Sequence, residues 1–298
     1  MTLPATFNQQ LLASQQRCED ALNQALEHLN ISDPYLADAM AYSLFNGGKR
    51  VRPFLVEATA QALGIDDSRV DVAMAAIEMV HSYSLVHDDL PAMDDDALRR
   101  GQPTCHIKFN EATAILAGDA LLTGAFEVLV DMPADFSIAQ RLKLVSLLSQ
   151  GSGAAGMVAG QAIDLASVGK NVDLTHLERM HGHKTGALIR MSVLMGAHCG
   201  QPDEATLAQL TVYANAIGLA FQVQDDILDI ESDTATLGKQ QGADIALNKP
   251  TYPALLGLNG AKDKAKQLHQ IALDALKNLA GDTSALEQLA DYIITRDH

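Results

Sequence analysis

Residues 86–96 read VHDDLPAMDDD and residues 223–229 read VQDDILD, so one V-x-D-D pattern opens two aspartate clusters in this chain. Apolar residues precede both clusters, which is not typical of a solvated acidic tail. Two carboxylates about 4 Å apart repel each other by roughly 4 kcal/mol at an effective dielectric near 20, so a fold that gathers them usually supplies cations. Oxygen ligands without a nearby cysteine are typical of Mg²⁺. The two clusters therefore predict one metal site built from both halves of the chain.

The periodicity of apolar residues around these clusters is helical nearly everywhere, and strand-like alternation is almost absent. The helix that leads into the first cluster is predicted from about Ser68 to Asp89, and Pro91 predicts a break directly after it. Asp33-Pro34 opens an earlier helix that Gly47-Gly48 closes, and another runs from about Pro53 to Gly64. The remaining predicted helices are 111–131, 137–166, 173–199, 203–230 and a last one that a capping box at Ser284 opens. The pattern predicts an all-α protein.

Composition narrows the class of protein further. The chain has 298 residues, 48% of them hydrophobic, but aromatics make up only 4% and Trp is absent, so we expect a large aliphatic core. A formal charge of −16 argues against a nucleic-acid-binding surface. Without a linker of low complexity, we expect one domain over residues 1–298, in which the long weakly periodic segment 231–250 is a candidate lid.

Targeting and redox signals favour the cytoplasm. Three widely spaced cysteines, Cys18, Cys105 and Cys199, form neither a disulfide framework nor a zinc pattern. The N-terminal residues have no basic region followed by an apolar one, and Asp119 interrupts the most apolar stretch, near 112–130. We therefore expect a cytoplasmic protein without a membrane span.

The second cluster and the basic residues predict the ligand. Asp225 and Asp229 share one helical face, and Gln222 projects toward the same space. The few basic residues gather near glycines or the acidic motifs, although the charge of any one group is typical of an ordinary surface; they are Lys49, Arg50, Arg52, Arg99, Arg100, Lys184, Lys239 and Lys249. Arg and Lys beside metal-type aspartates predict a polyphosphate ligand. No P-loop or dinucleotide-binding glycine pattern introduces them.

Several single residues are candidates for the same site. His81 lies two turns before Asp88 on the same face and can reach a bound phosphate, whereas structural or surface roles are expected for His176, His181 and His183. Gly156 and Gly160 predict a close contact between helices. Gln161 and Asp164 are equally consistent with a position in the cavity and outside it.

These motifs together resemble the trans-isoprenyl diphosphate synthases, above all the bacterial farnesyl diphosphate synthases, over essentially the whole chain. The ordered set that carries the resemblance comprises GGKRVRP at 47–53, the long first aspartate motif, RRG at 99–101, GQ at 160–161, KTG at 184–186, FQxxDDxxD at 221–229 and GK at 238–239. The resemblance implies about ten or more helices around a deep central cavity, a homodimer, and head-to-tail condensation of an allylic diphosphate with isopentenyl diphosphate.

The resemblance also implies roles for single residues. Mg²⁺ ligands are expected at Asp88, Asp89, Asp94, Asp225 and Asp229, with about three ions per site. Catalytic residues are expected at Arg99, Arg100, Lys184, Thr185 and Gln222, and Lys239 and Lys249 are expected to bind the allylic substrate. The isopentenyl diphosphate pocket is expected at Lys49, Arg52, His81 and Arg100. Tyr83, five residues before Asp88, together with the two extra residues of the first aspartate motif, is expected to stop growth at fifteen carbons; Ser84 is too small to block by itself.

Other functions remain open at this point. A geranylgeranyl or longer-chain synthase differs only in product length. A terpene cyclase normally carries one D-D-x-x-D motif and an aromatic cavity, a His-Asp metallophosphohydrolase needs further metal histidines, and a non-catalytic synthase subunit commonly lacks one aspartate motif. Tyr83 is also consistent with an ordinary core aromatic.

Overall fold

The computed structural model describes residues 5–133, 135–231 and 250–296, and within these ranges nearly all of the regular secondary structure is α-helical. The other regular elements in this part of the chain are a 3-10 turn at Asp67–Arg69 and a two-stranded antiparallel hairpin, β1 Leu98–Arg99 and β2 Gln102–Pro103. The helices are α1 Ala5–Leu29, α2 Pro34–Leu44, α3 Val51–Ala62, α4 Asp71–Asp88, α5 Cys105–Lys108, α6 Glu111–Val130, α7 Ile138–Ser152, α8 Met157–Ser167, α9 Leu174–Lys184, α10 Gly186–His198, α11 Glu204–Glu231, α12 Tyr252–Leu276 and α13 Ser284–Thr295. The all-α prediction is confirmed.

Side-chain caps fix where several of these helices begin. Asp33 accepts a hydrogen bond from the Leu36 amide at 2.7 Å with Pro34 as the first helical residue, as predicted. Asn110 caps α6 and Asp173 caps α9 in the same way. The capping box predicted at Ser284 is wrong, because Ser284 is already helical and the preceding residue makes no side-chain cap. A reciprocal box is found at Ser137 instead, at the start of α7.

Two predicted helices are in fact two helices each. The segment 137–166 breaks between α7 and α8, where a Cβ on Gly156 would lie 2.1 Å from the Gly151 carbonyl oxygen. The segment 173–199 breaks at Thr185, between α9 and α10. Within α12, Gly257 has a φ of 71°, which interrupts the helix and which side-chain-bearing residues rarely adopt. The break at Thr185 is the functional one, because it ends α9 at Lys184.

The buried residues form two clusters, one on each side of α3 and α10. The first joins α1, α2, α4, α6 and α7, and its fully buried members include Leu22, Met40, Met74 and Leu121. The second joins α3, α10, α11, α12 and α13 around Leu55 and two of the few aromatics, Tyr213 and Tyr252. Burial of such side chains contributes about 1.5–3 kcal/mol each. The helices that carry the two aspartate clusters, α4 and α11, belong to different halves of this core.

One described helix, α6, is long and apolar enough to cross a membrane, as judged by length and composition alone. We expected none, because Asp119 interrupts the stretch. In this fold α6 is a core helix, with Ala114, Ala117, Leu121 and Ala125 fully buried. Its exposed side carries three apolar residues, Ile115, Leu116 and Val130, together with the polar residues Asp119, Thr123 and Glu127.

All three cysteines are free and buried. Burial raises the pKa of the Cys18 and Cys105 thiols above the ordinary value. It raises the pKa of the Cys199 thiol to about 12. The candidate lid at 231–250, with Lys239 and Lys249, lies almost wholly outside the described residues.

Candidate active site

The first aspartate cluster begins where α4 ends. Asp88 is the last helical residue, and the chain then turns back so that the Asp94 amide donates to the Asp88 carbonyl oxygen at 2.9 Å. The break predicted from Pro91 is therefore present. Asp89, only 3% exposed, accepts from Arg99 Nε at 2.9 Å and from its Nη2 at 2.5 Å. A predicted metal ligand and a predicted substrate residue thus bind each other, which joins the β1–β2 hairpin to the end of α4.

The second aspartate cluster lies along α11, and its three carboxylates have different partners. Asp225 pairs with Arg296 at 2.5 Å. Asp226 is buried and accepts the Tyr252 amide at 2.9 Å, so it holds the first turn of α12. Asp229 is 2% exposed, and its Oδ1 has no hydrogen-bond partner among the described residues. An orphaned buried carboxylate oxygen is costly, so Asp229 is a candidate for binding a cation.

Two adjoining cavities lie at the end of α4. The apolar cavity, about 370 Å³, is lined by Asp88, Tyr83, Ser84, His87, Lys184 and Thr185, and by α8 residues that include Met157, Val158, Gln161 and Leu165. The cationic cavity, about 440 Å³, is lined by Lys49, Arg50, Arg52, Glu78, His81, Arg100 and Arg296. Arg52 and His81 line both cavities, with Arg52 Nη1 3.3 Å from His81 Nε2. The apolar cavity can therefore hold an apolar chain, and the neighbouring cationic cavity can hold an anionic group.

Lys184 connects the first aspartate cluster to α8. Its Nζ lies 2.5 Å from Asp164 Oδ2. Burial alone would lower the pKa of Lys184, but Asp164, followed by Asp88 and Asp94, raises it above the ordinary value. The close approach needed for this pair depends on Gly160, because a Cβ there would lie 2.0 Å from the Lys184 backbone nitrogen. The contact predicted from the glycine spacing is thus confirmed at Gly160.

Burial dominates the electrostatics of the site. It raises the pKa of Asp88 to about 6, with Asp94 and Asp89 adding to the effect and Lys184 and Arg99 opposing it. Burial, together with Arg52 and other nearby arginines, lowers the pKa of His81 well below its ordinary value, so the imidazole is neutral at pH 7. The first cluster is short of positive charge, whereas the cationic cavity has a surplus of it.

Most predicted site residues line or adjoin these cavities. The Thr185 hydroxyl donates to Gln222 Oε1 at 3.2 Å, which joins the α9–α10 break to the second cluster. Ser84 donates to the His81 carbonyl oxygen, and Tyr83 is buried with 6% exposed. Gln161 lines the apolar cavity, and its amide nitrogen has no hydrogen-bond partner in the described part of the chain. Lys239 and Lys249 lie outside the described residues.

Sequence reasoning missed the ion pair behind the cationic cavity. Arg50 Nη1 lies 2.6 Å from Glu78 Oε1, and both side chains are 2% exposed. Arg50 has a φ of 49°, a left-handed conformation unusual for a residue with a side chain, directly before α3. Glu78 is the only acidic residue between Asp71 and Asp88, which is a signal that could have identified it.

Arg296 was left open at the sequence level, and the structure places it in the site. Besides its pair with Asp225, its guanidinium lies 4.1 Å from the centre of the Phe221 ring. The C-terminal end of α13 therefore closes one wall of the cationic cavity.

The tightest group of possible metal ligands in the described part of the chain lies elsewhere. It consists of His28, Glu127 and Asp131, all exposed, between α1 and the end of α6. His87 and Asp88 form the His-Asp pair that is typical of a metallophosphohydrolase, but His87 belongs to no such group among the described residues. Its Nε2 lies 3.1 Å from the Ile115 carbonyl oxygen.

Comparison with known proteins agrees with this geometry. The family model for polyprenyl synthetase matches residues 33–290. The farnesyl diphosphate synthase of Escherichia coli is 54% identical over 297 residues, which cover 98% of this chain and 99% of that protein. That of Haemophilus influenzae is 53% identical over 292 residues, with 97% and 98% covered. The crystal structure of a geranyltransferase from Legionella pneumophila superposes with a TM-score of 0.87 at 36% identity, covering 98% of this chain and 97% of that one. This chain therefore belongs to the polyprenyl synthetase family.

Proposed function

We propose that this protein is a Mg²⁺-dependent prenyltransferase that condenses dimethylallyl and geranyl diphosphate with isopentenyl diphosphate, head to tail, to give farnesyl diphosphate. The observation that carries the proposal is the pair of adjoining cavities with Arg52 and His81 between them. The apolar cavity fits an allylic chain whose diphosphate lies at Asp88, and the cationic cavity fits the diphosphate of isopentenyl diphosphate. Both curated relatives named above are farnesyl diphosphate synthases.

The carboxylates fit Mg²⁺. Burial without enough positive charge raises the pKa of Asp88 to about 6, and Asp229 Oδ1 has no partner within the described part of the chain. Asp89 and Asp225 are held by arginines, which a metal-bound diphosphate would have to replace or share. Asp88, Asp89, Asp94, Asp225 and Asp229 would hold the metal, with about three ions per site. When bound, Mg²⁺ neutralises the diphosphate and stabilises the charge of the leaving group.

The residues at the end of the apolar cavity support ionisation. When the allylic C–O bond breaks, both electrons leave with the diphosphate oxygen, and Lys184 and Arg99 stabilise the negative charge that develops. Each 1.4 kcal/mol of such differential stabilisation changes the rate about tenfold. The Thr185 hydroxyl, which lines the cavity, and the Gln222 amide offer oxygen dipoles to the allylic cation.

The cationic cavity positions the second substrate. Lys49, Arg52 and Arg100 surround it, and neutral His81 adds a hydrogen bond without adding charge. The alkene of isopentenyl diphosphate, held here, attacks the allylic cation to form the new C–C bond. The resulting cation then loses a proton to the released diphosphate, which leaves a longer allylic diphosphate. Apolar walls exclude the water that would quench the cation to an alcohol.

The finer parts of the proposal have separate support. Tyr83, buried on the wall of the apolar cavity, supports a fifteen-carbon product, with Ser84 beside it too small to block. The exposed apolar side chains Ile115, Leu116 and Val130 of α6 support a homodimer. Free cysteines support a reducing cytoplasm, and the family match supports one domain over residues 1–298. The allylic-site roles of Lys239 and Lys249, and a lid at 231–250, stay predictions.

One incubation tests the proposal. Purified protein with Mg²⁺, dimethylallyl diphosphate and isopentenyl diphosphate is expected to form farnesyl diphosphate, as measured by chromatography of the dephosphorylated products. Excess EDTA should abolish turnover, and added Mg²⁺ should restore it. Full turnover in EDTA, or inactivity of the purified chain alone, would contradict the proposal. Twenty-carbon products would favour the longer-chain alternative, and turnover of farnesyl diphosphate alone would favour a cyclase.

A further inference from the structure

Two rings, not one, lie side by side on the α4 wall of the apolar cavity. Tyr83 and His87 lie one helical turn apart on α4, and both line the cavity. Their ring centroids are 5.7 Å apart with an interplanar angle of 85°, an edge-to-face contact. The Tyr83 ring is buried, whereas the His87 side chain is 28% exposed. His87 therefore packs against the ring expected to limit the product.

The His87 ring is in turn held against α6. Its Nε2 lies 3.1 Å from the Ile115 carbonyl oxygen and 3.9 Å from Asp119 Oδ1. Gly118, on the same face of α6, gives the ring its space, because a Cβ there would lie 2.2 Å from His87 Nε2 and 2.5 Å from its Cδ2. The ring thus lies between Tyr83 and the α6 backbone and has no room to retreat toward α6.

This packing limits how far the Tyr83 ring can move when a growing chain reaches it. A chain that extends from Asp88 along α4 meets the Tyr83 ring, and the contact with His87 limits the positions to which that ring can move aside. We propose that His87, seated in the space left by Gly118, is a second determinant of product length that keeps Tyr83 in place. This inference rests on the proposed prenyltransferase function and extends it to a residue expected neither to bind metal nor to bind substrate.

The first test removes the His87 ring and then restores its bulk. His87→Ala is expected to shift the product from fifteen toward twenty carbons, because the Tyr83 ring gains room to swing aside. His87→Phe keeps an aromatic ring at the same place and is expected to keep the fifteen-carbon product. His28→Ala, in α1 and away from the cavities, is the control for removal of a histidine and should leave the distribution unchanged.

The second test reduces the space from the other side. Gly118→Ala pushes the His87 ring toward the cavity and is expected to lower the ratio of fifteen- to ten-carbon product. Because this variant keeps residues 83 and 87, it also decides the matter if His87→Ala is inactive or does not fold. Thermal melts of each variant identify the folded ones.

The outcomes distinguish failure of the role proposed for His87 from failure of the proposed prenyltransferase function. Active His87→Ala and Gly118→Ala variants with the wild-type product distribution would overturn the role of His87 and leave the prenyltransferase proposal intact. A wild-type chain that forms no prenyl product would instead overturn the proposed function. Longer products from His87→Phe as well would show that the imidazole itself, and not ring bulk, holds Tyr83.

Discussion

Asp88 illustrates at the scale of one residue how function and stability oppose each other. Its pKa of about 6 lies above the ordinary value of 3.8, so the ionised form costs the folded state free energy above pH 6. This cost shrinks as the pH falls below 6 and disappears only below 3.8, where Asp88 is protonated in the folded and the unfolded protein. At 1.36 kcal/mol per pKa unit the cost is up to about 3 kcal/mol, less what solvent screens.

Asp88→Asn is therefore expected to raise the melting temperature at pH 7 in metal-free buffer, by an amount equivalent to about 1–3 kcal/mol. The gain should shrink below pH 6 and vanish by about pH 3, and activity should be lost at every pH. Differential scanning calorimetry at both pH values measures the effect. Asp95→Asn, at an exposed position of the same loop, is the control, and equal shifts for the two variants would contradict the electrostatic account.

Tyr83→Ala tests the residue expected to limit the product. Removing the ring should open the cavity wall and lengthen the product beyond fifteen carbons. The loss of stability should not exceed the about 3–5 kcal/mol typical of a packed aromatic residue, because the ring faces a cavity. Product chain-length analysis measures the shift. Tyr35→Ala, at a 50% exposed position of α2, should change neither the products nor much of the stability. A product that still ends at fifteen carbons would mean that Tyr83 is only a core aromatic.

At the scale of the elements, the contact between α8 and α9 positions Lys184 and Asp164. Gly160→Ala would force the two helices apart, and such overpacking costs about 1–3 kcal/mol. We expect a lower melting temperature and a lower kcat, since the displaced pair lies at the ionisation site. Steady-state kinetics with geranyl and isopentenyl diphosphate, together with thermal melts, measure both.

Gly182→Ala is the matched control for this prediction. Gly182 lies in α9 with nothing within 4 Å of its missing side chain, so the substitution should stabilise the helix by up to about 1 kcal/mol. Similar behaviour of the two variants would show that the close approach at Gly160 does not matter.

The helices also show what the sequence could predict and why. The end of α4 near Asp89 follows from Pro91, and the start of α2 from Asp33-Pro34, because these are local preferences of the backbone. The breaks before Met157 and at Thr185 were not predicted, because the helical period of apolar residues continues through them. Their cause is tertiary, as the contact of Gly160 with the Lys184 backbone illustrates, and a pattern along one segment carries no information about such a contact.

At the scale of the whole molecule, the large apolar side chains that α6 exposes to solvent have no explanation in a single chain. Leu116 is 57% exposed and Ile115 43%. Leu116→Glu is expected to convert the proposed homodimer to monomer, because a charge buried in an apolar interface without a partner is costly. Light scattering after size-exclusion chromatography measures the mass. Val212→Glu, at a 44% exposed position of α11, should leave it unchanged. A monomeric wild type would contradict the dimer.

The whole-molecule arrangement of the site was predicted only in part. The two aspartate motifs were recognisable because each carries its own local pattern. The partners of their carboxylates were not, since the pairing of Asp225 with Arg296 joins segments that only the tertiary fold brings together. The same holds for Arg50 and Glu78, whose burial no local pattern indicates.

The inaccessible thiols of Cys18, Cys105 and Cys199 make the molecule well suited to spectroscopy. Maleimide dyes react with the thiolate, and burial keeps that form scarce at all three positions near neutral pH. A single cysteine introduced at Leu98, 64% exposed beside Arg99, would therefore take up a fluorophore selectively in the otherwise unaltered chain. Its emission would report in real time on the hairpin as magnesium and pyrophosphate arrive.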